Sequence, residues 1–133
     1  MPGVIADTHA LIWYLLDSPR LSAQASAQFE TCRTTGVGVG VSSISIVEII
    51  YLVEKGRIPP ATLPLLEESL LEPSALLEIV PVTYDVALAV QRVSRQQVPD
   101  LPDRVITATA LHLGVPLISR DRKIQLADVE TIW

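Results

Sequence analysis

The sequence is poor in the residues on which several common kinds of function depend. Its 133 residues include a single cysteine, Cys32, and only two histidines, His9 and His112. An internal disulfide is therefore excluded, and no cysteine–histidine cluster is available for zinc. Ser-His-Asp catalysis has little support, since no G-x-S-x-G motif is present. The lone cysteine and the absence of a signal-peptide pattern favour a reducing cytoplasm.

Long uncharged apolar runs and an excess of basic residues are also absent. Glu48 and Glu54 interrupt the most apolar stretch, so no segment reaches the ~18–20 residues that a membrane span needs. The net charge of −5 argues against binding nucleic acid by charge alone. Apolar residues nevertheless make up 49% of the chain. We expect one folded domain over residues 1–133 whose surplus apolar surface contacts a second copy or another protein.

Strand-like and helix-like patterns alternate along the chain. Short apolar runs predict strands at residues 3–6, 37–41, 77–82, 117–119 and 131–133. Apolar residues at helical spacing predict one helix between Thr8 and Asp17 and others at residues 22–33, 46–55, 63–70, 83–93 and 100–113. This alternation predicts an α/β fold with a parallel sheet.

The glycine-rich segment at residues 36–40 has two interpretations. It lacks both the G-x-G-x-x-G spacing of a dinucleotide site and the Lys-Ser/Thr of a phosphate-binding loop. A strand that needs small residues on one face explains the glycines better. We therefore assign no ligand to this segment.

Four acidic residues stand at strand–helix junctions. Asp7 follows the first strand, Glu48 lies in the helix after the second, Asp103 begins the sixth helix, and Asp121 follows the penultimate strand. The carboxyl ends of parallel strands line one crevice, so these four side chains can converge. Helix capping explains Asp7, Glu48 or Asp103 taken singly, and a solvated turn explains Asp121. Their joint placement favours a site.

A cluster of four carboxylates predicts a bound cation. Two carboxylates ~4 Å apart repel by roughly 4 kcal/mol at an effective dielectric constant of ~20. All-oxygen ligation suits Mg²⁺ or Mn²⁺, and such an ion supports hydrolysis of a phosphodiester. The basic residues next to these acids in sequence are candidates for contacting the phosphates of such a substrate, although a salt-bridged rim predicts the same set: Arg104, Arg120, Arg122 and Lys123.

Four segments resemble the PIN domains of VapC-like toxins. They are VIADTHALIW at residues 4–13, SSISIVEI at 42–49, LPDRVITATA at 101–110 and PLISRD at 116–121. The resemblance implies a three-layer α/β/α sandwich with a central, mainly parallel sheet of about five strands. It also implies a Mg²⁺- or Mn²⁺-dependent endoribonuclease that leaves a 5′-phosphate and a 3′-hydroxyl. Such toxins bind a cognate antitoxin and commonly form homodimers.

By motif, the resemblance assigns metal-binding and catalytic roles to four acids and auxiliary roles to three neighbours. The four are Asp7, Glu48, Asp103 and Asp121, and the neighbours are Ser119, Thr8 and Asp100. Residues 57–73 match no motif of the family that we can place.

The sequence leaves other interpretations open. A catalytically weak PIN-like module that binds protein or RNA is the main alternative. A phospho-acceptor receiver and a haloacid-dehalogenase-like phosphatase are less well supported interpretations. The receiver requires a pair of acids near the first strand, and the phosphatase requires Asp-x-Asp where this chain has Asp7-Thr8-His9. Candidate interface segments are the surroundings of Trp13 and Tyr14 and the helical stretches at residues 49–53 and 63–70, all of which could equally belong to the core.

Overall fold

Strands and helices alternate in the computed structural model, which describes residues 1–125 and 127–133. The strands are β1 (Val4–Ala6), β2 (Val39–Ser42), β3 (Leu77–Val80), β4 (Leu117–Ile118) and β5 (Thr131–Ile132). The helices are α1 (Thr8–Leu15), α2 (Ala23–Thr35), α3 (Ser43–Glu54), α4 (Thr62–Leu71), α5 (Tyr84–Ala89), α6 (Leu101–Leu113) and α7 (Arg122–Gln125). A 3₁₀ turn, Val90–Arg92, follows α5.

The five strands form one parallel sheet in the order β3-β2-β1-β4-β5. Strand β1 lies at the centre, with Ala6 paired with Val41 of β2 on one side and Ile118 of β4 on the other. The strand order therefore reverses at β1, and its carboxyl end is the point at which such sheets form a ligand crevice. The predicted α/β class and the parallel sheet of about five strands are confirmed.

The sheet separates two apolar cores, because successive side chains of a strand point to opposite faces. Val4 and Ala6 belong to the first core, which also contains Phe29 of α2. Ile5 belongs to the second core with Ile106 of α6. Helices thus cover both faces, as the predicted three-layer sandwich requires. None of the helices in the described part of the chain combines the length and apolar character needed to cross a membrane.

The glycine-rich segment is structural, as its strand interpretation predicted. A Cβ atom at Gly40 would lie 2.5 Å from Cδ1 of Ile5, so β2 needs a glycine where it packs against its neighbours. Gly36 ends α2 with a φ of 73°, which glycine adopts without strain. The strand begins at Val39 rather than at residue 37, because the Val37 N–H is bonded to the Cys32 carbonyl at the end of α2.

The helix predicted over residues 83–93 is shorter than expected. It ends at Ala89 and gives way to the 3₁₀ turn, after which Val93 is extended. The guanidinium of Arg104 donates hydrogen bonds to the carbonyls of Val90, at 3.0 Å, and Val93, at 2.8 Å. These bonds satisfy carbonyls that a continued helix would have used.

The apolar side chains predicted to supply an interface are mostly in the core. Trp13, Ile49 and Leu66 are buried, which is the core placement that the sequence left open for these segments. Tyr51, within the predicted stretch 49–53, is exposed on the outer face of α3. Other exposed large apolar residues include Val47, Ile50, Leu71, Tyr84, Leu88 and Leu101.

Candidate active site

A cleft of about 750 Å³ contains the predicted acids. It is lined by Asp7, His9, Trp13, Glu48, Asp100, Asp103, Arg120, Asp121 and Arg122. The four candidate ligands come from the junction of β1 and α1, from α3, from α6 and from the segment after β4, so the fold brings together positions that are distant in sequence. Their roles as ligands stay predictions, while their shared location is a property of the fold.

Asp7 is the most buried of the four acids, with 7% of its surface exposed. Its Oδ1 accepts a hydrogen bond of 2.8 Å from the Ala10 N–H, which makes Asp7 the N-cap of α1. Burial raises the pKa of Asp7, although hydrogen bonds from the Ser119 side chain and from Ala10 act against that rise. Asp7 is therefore a cap and a member of the cleft at once.

Ser119 links two acids of the cleft. Besides its side-chain bond to Asp7, its Oγ accepts a hydrogen bond of 3.0 Å from the Asp121 N–H. Ser119 is fully buried at the end of β4, so its hydroxyl is fixed by the sheet. Through these bonds Ser119 contacts both Asp7 and Asp121, and its auxiliary role stays a prediction.

Thr8 and Ser45 form a buried hydroxyl pair next to Glu48. Their Oγ atoms lie 3.0 Å apart, and the Thr8 hydroxyl donates a hydrogen bond to Oε1 of Glu48. Desolvation by burial raises the pKa of Glu48, and the bond from Thr8 lowers it. The pair joins α1 to α3 and orients the Glu48 carboxylate.

Asp103 has the most perturbed carboxyl group of the cleft. Burial, followed by the negative charges of Asp100, Asp121, Glu48 and Asp7, raises the pKa of Asp103 to about 8. Asp100 is the N-cap of α6, and its Oδ2 accepts a hydrogen bond of 3.2 Å from the Asp103 N–H. The cleft therefore holds more negative charge than its surroundings stabilise.

The donor set of the cleft fits a hard divalent cation. The four acids supply only carboxylate oxygens, which Mg²⁺ and Mn²⁺ prefer, and a cation offsets the repulsion that raises the pKa of Asp103. Within the described residues, however, no three His, Cys, Asp or Glu side chains are close enough to form a ready-made metal site. The carboxylate oxygens are therefore of the kind that binds Mg²⁺ or Mn²⁺, but they lie farther apart than the ligands of a metal-bound site.

The basic residues predicted to contact RNA separate into two groups. Arg120 and Arg122 are exposed and line the cleft. Lys123 is exposed but is not among the lining residues, and its backbone N–H bonds Oδ1 of Asp121 at 2.8 Å. Arg104 also lies outside the lining, because its guanidinium is held by the Val90 and Val93 carbonyls. The prediction that Arg104 contacts RNA is therefore not retained, since its guanidinium is already bonded to backbone carbonyls outside the cleft.

Two lining residues, His9 and Trp13, were not identified as site residues from the sequence. They lie one turn apart on α1, at positions i and i+4, directly after Asp7. That spacing is the signal that could have found them, since residues four apart share a helix face.

Comparison with known proteins agrees with this architecture. A family model described as PIN domain matches residues 4–130. The chain belongs to the PIN-domain family. A curated relative of this PIN domain, Ribonuclease VapC22 of Mycobacterium tuberculosis (strain ATCC 25618 / H37Rv), is 30% identical over 125 residues, which cover 94% of this chain and 92% of the relative.

Solved structures share the fold of this PIN domain at lower identity. The crystal structure of VapBC2 from Rickettsia felis bound to a DNA fragment from their promoter contains a chain with a TM-score of 0.71 and 15% identity, with 98% of each chain covered. A toxin-antitoxin complex from Klebsiella pneumoniae contains another, with a TM-score of 0.62, 21% identity and coverage of 98% of this chain and 96% of that one. Both likenesses concern the fold alone.

The raised pKa values predict how the stability of this PIN domain depends on pH. A carboxyl whose pKa is higher in the folded state than in the unfolded state stabilises the fold fully at low pH, and this stabilisation is lost as pH rises through the folded-state pKa. For Asp103 the loss of stability extends over the pH range from the ordinary pKa of 3.8 up to the folded-state pKa of about 8. In EDTA, we expect a higher melting temperature at pH 5 than at pH 8.5.

Asp103→Asn tests the origin of this slope, since the amide cannot ionise. We expect the variant to lose much of the decline in melting temperature between pH 5 and pH 8.5. Glu67→Gln is the matched control, because Glu67 is exposed on α4 and does not line the cleft. An unchanged slope in Asp103→Asn would contradict the assignment to Asp103.

Proposed function

We propose that the protein is a divalent-metal-dependent endoribonuclease, the toxin of a type II toxin–antitoxin pair. The observation that carries this proposal is the convergence of Asp7, Glu48, Asp103 and Asp121 on one cleft at the reversal point of the sheet. The name of the relative, Ribonuclease VapC22, supports RNA as the substrate.

In this proposal the cation is Mg²⁺ or Mn²⁺, held by the four carboxylates. When bound, such an ion lowers the pKa of a coordinated water and neutralises phosphate charge, which is the chemistry that phosphodiester hydrolysis needs. The protein's own contribution is positioning. Thr8 directs Glu48, and Ser119 directs Asp7 and Asp121.

Substrate binding is assigned to the basic side of the cleft. Arg120 and Arg122 line it and are exposed, and Lys123 is exposed beside them in sequence. Their positive charge offsets part of the negative charge that the acids present to an approaching RNA. Asp100 lies at the same cleft, where its negative charge contributes to the raised pKa of Asp103 and Glu48.

The proposed protein partners are a cognate antitoxin and a second copy of the chain. Similar folds occur in VapBC2 from Rickettsia felis and in a toxin-antitoxin complex from Klebsiella pneumoniae, which supports an antitoxin. The outer face of α3 supports an interface, because Val47, Ile50 and Tyr51 are exposed at spacings of three and four residues.

Cleavage of single-stranded RNA by the full chain tests the proposed activity. We expect cleavage of a fluorescently labelled RNA of mixed sequence in Mn²⁺ or Mg²⁺ and none in EDTA, with products that carry a 5′-phosphate. The measurement is gel separation of the products followed by ligation that depends on the 5′-phosphate.

Two results would contradict the proposal. Equal cleavage in EDTA and in Mn²⁺ would exclude metal dependence. Absence of cleavage, together with no heat of Mn²⁺ binding at millimolar concentration in calorimetry, would favour the binding module instead. Glu67→Gln should cleave like wild type, because its side chain is exposed and outside the cleft.

A further inference from the structure

Three planar side chains stand together on one wall of the carboxylate cleft. His9 and Trp13 have ring centroids 5.7 Å apart with planes inclined at 52°. The guanidinium carbon of Arg120 lies over the Trp13 ring, 4.9 Å from its centroid. All three line the cleft that contains Asp7 and Asp103.

Trp13 is the fixed member of this group. Only 8% of its surface is exposed, and its ring also contacts that of Trp133, with centroids 5.6 Å apart. A buried ring held on several sides cannot itself receive a ligand face. It can orient the two side chains that rest on it, His9 and Arg120.

His9 and Arg120 supply the surface that faces solvent, since both residues are exposed. Among the residues that the structure describes, the Arg120 guanidinium makes neither a hydrogen bond nor an ion pair, and it lies over the Trp13 ring. Arg104 differs, because its guanidinium donates hydrogen bonds to two backbone carbonyls. The Arg120 guanidinium is thus held over an aromatic ring while the residue stays open to the cleft.

Such an arrangement suits a nucleobase better than a phosphate. Unstacked bases of single-stranded RNA stack on histidine rings and on guanidinium planes. A phosphate contact alone needs only a mobile positive charge, whereas the Arg120 guanidinium is held over the Trp13 ring beside the exposed ring of His9. The cleft therefore carries a stacking surface next to its acids.

We propose that His9 and Arg120, oriented by Trp13, form a nucleobase-stacking platform that places one base of a single-stranded RNA beside the carboxylates. The proposal rests on the proposed function, since it concerns the substrate of the same cleft. His9 and Arg120 contact the base, and Trp13 is a positioning residue.

Trp13 can report on this platform. The chain has two tryptophans, so Trp133→Phe leaves Trp13 as the sole tryptophan and retains an aromatic ring at its neighbour's position. This variant would be titrated in EDTA, at low ionic strength, with a short single-stranded RNA and with an abasic ribose-phosphate chain of equal length. We expect the RNA to change Trp13 fluorescence and to bind about tenfold more tightly than the abasic chain.

His9→Ala and Arg120→Ala, each made in the Trp133→Phe background, test the two contacts. We expect each to reduce the preference for RNA over the abasic chain by about fivefold or more. His112→Ala and Arg57→Ala are the matched controls, since both residues are exposed and lie outside the cleft lining. They should keep the full preference, and thermal melting of every variant establishes that it is folded.

Three results would overturn the platform. They are equal affinity for RNA and the abasic chain, an unchanged preference in both folded variants, and an Arg120→Ala variant that weakens both ligands equally. The last result would assign Arg120 to phosphate. Base-dependent binding without cleavage in Mn²⁺ would support the platform while contradicting the ribonuclease, so the two proposals fail separately.

Discussion

Asp7→Asn is expected to lower the rate of RNA cleavage by at least about 100-fold. Removing a residue that only supports a metal ligand typically costs 10–100-fold, and Asp7 is proposed to be a ligand itself. The substitution replaces a carboxylate oxygen by an amide at the most buried position of the cleft. The measurement is the initial rate of cleavage in saturating Mn²⁺ for both proteins at equal concentration.

The same substitution should leave the fold intact. Asparagine caps helices about as well as aspartate, so its side-chain oxygen can still accept the Ala10 N–H bond. Burial raises the pKa of Asp7, which shows that the charged form is disfavoured there. We therefore expect the variant to melt no lower than wild type in EDTA at pH 8. Equal RNA cleavage by both proteins would mean that the activity belongs to a contaminant or to another site.

Phe29→Ala should have the largest effect on stability. Phe29 lies on α2 with 1% of its surface exposed, and its ring stacks on that of Tyr14 with centroids 4.2 Å apart. Truncating a buried phenylalanine to alanine typically lowers the free energy of unfolding by about 3–5 kcal/mol, because transfer energy is lost and a cavity forms. For a domain of this size, the melting temperature should fall by roughly 10–20 °C.

Two further variants make this result specific. Phe29→Leu retains most of the buried volume and should lose less stability than the alanine variant. Leu71→Ala removes an exposed apolar side chain from the end of α4, outside the proposed α3 interface, and should change the free energy of unfolding by no more than about 0.5 kcal/mol. Urea denaturation of the three variants measures these differences. A loss below about 1 kcal/mol in Phe29→Ala would show that α2 is not essential to the first core.

The sequence was sufficient to predict the sheet and the place where the acids meet. Short apolar runs alternating with helical patterns predict parallel strands, and parallel strands present their carboxyl ends at one edge. Asp7 and Asp121 stand just beyond such an edge, Glu48 lies on the helix that follows β2, and Asp103 lies in the first turn of α6, which leads into β4. Their convergence follows from the order of strands and helices along the chain, which local sequence patterns predict.

The side-chain directions of neighbouring residues could not be predicted in the same way. Arg104 follows Asp103 directly, yet its guanidinium donates to the Val90 and Val93 carbonyls in the turn after α5 and does not line the cleft. Trp13 contacts Trp133, which is 120 positions away in sequence. Both outcomes depend on contacts between elements, which residue type and spacing do not specify.

The division of the core by the sheet has a consequence for how activity is lost on heating. Asp7 begins α1, which packs in the first core, whereas Asp103 belongs to α6, which packs in the second. Layers on opposite faces of a sheet can open separately, since proteins unfold locally in cooperative units. If only the helices of the first core or only those of the second core opened, Asp7 and Asp103 would move apart while the other layer stayed folded. Activity is therefore expected to be lost on heating as soon as either of the two layers opens, before the whole domain unfolds.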